Sequence, residues 1–62
     1  MDAFDYLLSQ IKEEMEAIKE SISAGSAKDY ADYQHLCGKI RGLLVAQSKI
    51  NDLKERMDSD NE

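Results

Sequence analysis

The chain has no proline and no tryptophan, and its 62 residues include one cysteine, one phenylalanine and three glycines. Without proline, no position is barred from a helix interior, so long uninterrupted helices are compatible with the sequence. So few large aromatic side chains argue against a dense globular core. Cys37 has no second cysteine to pair with, which excludes a disulfide-stapled fold and points to synthesis in a reducing compartment. The start, Met-Asp-Ala-Phe-Asp, shows no basic leader, and no apolar run reaches the length of a signal peptide or a bilayer span. The expectation is a single domain made in the cytosol and at the small end of what folds alone.

Chemistry is scarce as well. His35 and Cys37 are the soft metal ligands, and two positions apart on a helix they point about 160° away from each other. Cys37 reads as a small hydrophobe at the edge of a packed seam, with no paired base to activate it. Glu13, Glu14 and Glu16 form a solvated charge run, since nothing concave is expected to hold a substrate beside them. No phosphate-binding glycine loop, nucleophile elbow or metal motif is present. The expectation is a non-enzyme with no catalytic, cofactor-binding or metal-binding residue.

What is present is charge and period. The net charge is −5, unevenly spread. Residues 1–25 carry six acids against Lys12 and Lys19, and residues 58–62 (Asp-Ser-Asp-Asn-Glu) form an acidic end. Between them stand Lys39, Arg41, Lys49, Lys54 and Arg56, with Asp52 and Glu55 the acids of that stretch. This polarity suits head-to-tail or antiparallel association, and the surrounding acid argues against nucleic-acid binding. Apolar residues recur at Met1, Phe4, Leu8, Ile11, Met15, Ile18 and Ile22, alternating steps of three and four as in a heptad seam, which Leu7 broadens. Asp2 is placed to cap this helix, and Asp2 and Asp5 both suit the positive end of its dipole.

Ser23-Ala24-Gly25-Ser26 breaks the pattern. Gly25 fits the left-handed residue that closes a helix, and Ser26 with Asp29 resembles a capping box for a second helix. The expected fold is therefore all-α: a two-helix antiparallel hairpin of coiled-coil type, with a helix over 2–23, a turn at 24–26, a helix over 27–57 and a disordered acidic tail over 58–62. The second inward stripe is Tyr33, Leu36, Cys37, Ile40, Leu43, Leu44, Ile50, Leu53 and Met57. A tight turn at Gly25 pairs positions whose numbers add to about 51. Ile18 then meets Tyr33, Met15 meets Leu36, Ile11 meets Ile40, Leu8 meets Leu43, Phe4 meets Gln47, and Met1 ends near Ile50.

Two features fall outside that pairing. Leu53 and Met57 are expected to project past the first helix, uncovered. Small residues at Ala31, His35, Gly38, Gly42 and Ala46 line a different side of the second helix, with Val45 beside them. Each glycine inside a helix costs about 1 kcal/mol against alanine, so Gly38 and Gly42 call for a cause. Either they relieve crowding inside the hairpin or they admit the backbone or a bulky side chain of another chain. Lys39 and Arg41 between them rule out a lipid setting. Tyr30 and Tyr33 are expected to pack with Ile18 or Ile22, and Tyr6, on the back of the first helix, is a candidate anchor. The candidate partner-binding residues are thus Tyr6, Gly38, Arg41, Gly42, Val45, Ala46, Leu53 and Met57. An isolated two-helix hairpin is marginal, so completion by self-association into a bundle, or by docking on another chain, is expected.

The stretch Ser26-Ala27-Lys28-Asp29-Tyr30-Ala31-Asp32-Tyr33, continuing into Leu36-Cys37-Gly38-Lys39-Ile40-Arg41-Gly42-Leu43, resembles small helical proteins encoded in the virion and morphogenesis gene clusters of tailed bacteriophages. The resemblance spans about residues 4–57, and Cys-Gly-x-Ile-Arg-Gly is its most distinctive part. It implies a non-enzymatic structural or assembly protein of the phage particle, made in the host cytoplasm. Its partners would be further copies of itself, a phage structural protein such as portal or head protein, or both, docking through Gly38, Arg41 and Gly42. The alternative is a small acidic phage protein that binds and regulates a host enzyme.

Overall fold

The computed structural model describes residues 2–60 as two α-helices, α1 (Ala3–Ser23) and α2 (Tyr30–Asp60), folded into an all-α hairpin. Helix α1 begins where an acid can satisfy its free amides. Asp2 sits in extended backbone and its Oδ1 accepts from the Asp5 amide at 2.8 Å, while its carbonyl accepts from the Tyr6 amide at 3.0 Å. The helix ends in a Schellman motif. The Ser26 amide reaches back to the Ser21 carbonyl at 3.0 Å and the Gly25 amide to the Ile22 carbonyl at 3.1 Å. That closure requires a positive φ, and Gly25 supplies it at +76°.

The second helix starts later than Ala27, and the cause is which residue caps it. Asp29, not Ser26, accepts from the Asp32 amide at 2.8 Å, and the Asp29 carbonyl takes the Tyr33 amide at 3.0 Å. Asp32 accepts in turn from the Lys28 amide at 3.1 Å, a variant of the capping box whose return bond goes to the residue before the cap. The connection is therefore residues 24–29 rather than 24–26. At the far end α2 continues to Asp60, so Asp58 and Ser59 are helical rather than part of a tail. Asn61 and Glu62 lie outside the described residues, as does Met1, so the pairing expected of Met1 does too.

The longer connection changes the register. Lys54 donates to Asp5 across the hairpin, and Ile18 shares a groove with Lys39, Gly42 and Leu43. These contacts place opposite one another positions whose numbers add to about 58, one heptad beyond the 51 expected from a tight turn. At that register Leu8 stands level with Ile50, Ile11 with Gln47, Met15 with Leu43, Ile18 with Ile40 and Ile22 with Leu36. Each of those α2 residues is partly shielded from solvent, and Met15 and Ile18, both 6% exposed, form the buried centre.

Three expectations change with it. Leu53 does not overhang α1, since the next residue, Lys54, is bonded to Asp5 near the start of that helix. Met57 is one turn further, level with the N-cap of α1. Tyr33 does not meet Ile18, whose groove partners lie six or more residues further along α2. Instead Tyr30 and Tyr33 project past the end of α1 and stack on each other, ring centroids 6.4 Å apart and 29° from parallel. The Gln34 amide donates to the Tyr30 hydroxyl at 2.7 Å. Interaction with Cys37 through a hydrogen bond, then charge, holds the Tyr33 phenol above its ordinary pKa.

Candidate protein-docking face

Side chains on the two helices divide between the interhelical seam and two broad faces of the hairpin. Along α2, at about 100° per residue, Ala46, Leu53 and Met57 fall within about 60° of Gly42 on the side toward α1. Gly38 and Val45 lie on the other side of Gly42, about 40° and 60° away, and Arg41 is about 100° round. On α1, Leu7, Glu14 and Ser21 follow one another at seven-residue steps, so they form one line along the flank next to Ile18.

The groove between these flanks is lined by Glu14, Ile18, Lys39, Gly42 and Leu43 and encloses about 290 Å³. It is open to solvent and mostly apolar, with one acid and one base at its margins. Leu7 lies two turns from Glu14 and Leu53 three turns from Gly42, so the apolar strip continues toward the open end of the hairpin. There Leu7 is 47%, Leu53 48% and Met57 46% exposed. A second hollow, formed by Asp52, Glu55, Arg56 and Ser59, runs along α2 alone and has no wall from α1.

Gly42 lines this groove and Gly38 lies one turn back at its outer edge, and a methyl group added at either would meet nothing within 4 Å beyond its own stretch of helix. Relief of crowding inside the hairpin is therefore not their role. Their effect is to leave the α2 backbone bare beside the groove.

The sequence-derived candidates divide on this geometry. Gly42, Ala46, Leu53 and Met57 share the groove face, with Gly38 at its edge. Val45, 56% exposed, and Arg41 lie round the outside of α2. Tyr6, 57% exposed, is on the back of α1, about 180° from the buried Met15. It cannot act with the groove on one flat partner. Leu7, Glu14 and Lys39 are not among the sequence-derived docking candidates; the signal available is the seven-residue line through Leu7 and Glu14, which runs beside the main seam. The opposite face is more polar, carrying the Glu16–Lys19 ion pair at 3.5 Å on α1 and the exposed Leu44 on α2.

Among the described residues no cluster of three or more His, Cys, Asp or Glu side chains could hold a metal ion, and no helix is long and apolar enough to cross a membrane. The free thiol of Cys37 is half-buried. What the groove offers chemically is shape, apolar area and, at its margins, one acid and one base. Comparison with protein-family models, curated proteins and solved structures finds no match for the chain.

Proposed function

We propose that this chain is a non-enzymatic structural or assembly protein that acts through helix–helix contacts with other protein chains, in the setting its sequence resembles, the particle of a tailed bacteriophage. The observation that carries the docking role is the bare α2 backbone at Gly42 and, one turn back, Gly38, where an added methyl group would meet no neighbouring side chain, beside the apolar groove lined by Ile18 and Leu43. Two interior glycines forgo about 1 kcal/mol each of helix stability, and an approaching helix is the means of recovering it. Portal or head protein, and further copies of the chain, are the partners this role calls for.

Quantitative mass spectrometry of purified particles tests the proposal. A structural role gives many copies per particle, in fixed ratio to portal or head protein. Absence from particles, with recovery on a host enzyme instead, overturns the particle role in favour of a regulator.

A further inference from the structure

Resting on the docking role just proposed, we infer that the occupant of the groove is a second copy of the same chain, laid face to face about a two-fold axis parallel to the helices.

The first argument is area. A compact protein of 7.0 kDa exposes about 4,000 Å², whereas this hairpin exposes 4882 Å². The excess is close to the roughly 800 Å² that each partner contributes to a standard stable interface. Only Met15 and Ile18 are buried hydrophobic residues among those described.

The second argument is charge, and it selects the axis. The charges that flank the groove are acidic on α1, Glu14, and basic on α2, Lys39, with Lys49 further along the same flank. A two-fold axis across the helices would lay α1 on α1 and put acid on acid. An axis parallel to them lays each α1 antiparallel on the other copy's α2, so that acid meets base and all four neighbouring helices alternate in direction.

The third argument is fit. A rotation about that axis keeps every residue at its own level along the bundle. The intramolecular register therefore also gives the contacts between copies. Leu7 comes beside the second copy's Leu53. Glu14 falls over the gap between its Gly42 and Ala46, with its Lys39 and Lys49 to either side. Ser21 comes beside its Gly38. Bulky side chains meet at the open end and small ones near the turn, where the bare backbone permits close approach.

Cysteine pairs read this geometry directly. In a Cys37→Ser background, one chain carries Ser21→Cys and a second carries Gly38→Cys. Oxidation or a short bismaleimide is expected to join them only when the two chains are mixed. Cross-linked dimers from the Ser21→Cys chain alone would place α1 on α1 and overturn the arrangement. A charge swap provides the second readout. Glu14→Lys is expected to weaken pairing at least about tenfold, and adding Lys39→Glu to the same chain is expected to restore it; no loss, or no restoration, counts against the pairing. If the mixed chains fail to cross-link while the wild-type chain is still found in purified particles, the self-pairing is wrong and the docking role stands. Failure of both removes the docking role as well.

Discussion

Lys54 donates to the Asp5 carboxylate across 49 positions of sequence, tying the last turns of α2 to the first turn of α1. The bond to Asp5 is the largest of the influences that raise the Lys54 pKa above its ordinary value of 10.5, with Asp2 and Asp58 adding charge and burial opposing. A base whose folded-state pKa is raised stabilises the fold fully below its unfolded value and loses that contribution as pH rises through the folded one. Lys54→Met is therefore expected to lower the melting temperature at neutral pH, with the gap to the wild type closing above about pH 10.5. Thermal melts at pH 7 and pH 11 check this; an equal gap at both would mean that the pair does not stabilise the fold.

The glycines separate by sign. Gly25 holds a φ of +76°, so Gly25→Ala is expected to cost about 1–2 kcal/mol through backbone strain alone. Gly38→Ala meets open space in a helix interior and is expected to add up to about 1 kcal/mol. Urea unfolding of both variants, at protein concentrations low enough to suppress association, measures the two effects. Destabilisation by Gly38→Ala would show that its side faces something within the hairpin.

The start of α2 makes a third prediction. Asp29→Ala removes the acceptor for the Asp32 amide and is expected to cost about 1 kcal/mol. Ser26→Ala is expected to change stability by less than about 0.5 kcal/mol, because the bond by which Ser26 closes α1 comes from its backbone amide. Helicity by circular dichroism during denaturation distinguishes the two.

Much of this fold is legible in the residues. The seam from Phe4 to Ile22, the break at Gly25 and the cap at Asp2 all reappear as two helices and a left-handed closure. The register was not legible, for a physical reason. A seven-residue repeat matches itself after a shift of seven, so Leu8 finds an apolar partner in Leu43 or in Ile50. Only the length of the connection decides between them, and that length turns on whether Ser26 or Asp29 caps α2. The same shift altered the candidate face. With Lys54 set beside Asp5, Leu53 becomes part of a flank shared with Leu7 rather than an overhang, and Tyr30 and Tyr33 take the overhang instead. Gly42 is legible in the sequence because an interior glycine has a known cost, whereas Glu14 and Lys39 gain meaning only once the two helices are set side by side.

Equilibrium sedimentation of the wild-type chain beside Gly42→Leu, with helicity measured in parallel, puts self-pairing through the docking face to its most direct test. A Cβ at this position meets no neighbouring side chain within 4 Å and leucine is a better helix former than glycine, so the variant is expected to hold or gain helicity. In the gap between copies it blocks close approach. The expected result is a wild-type mass near twice 7.0 kDa at micromolar concentration and a variant mass near 7.0 kDa. A helical wild-type monomer at every concentration, or a Gly42→Leu chain that pairs as tightly as the wild type, would contradict it.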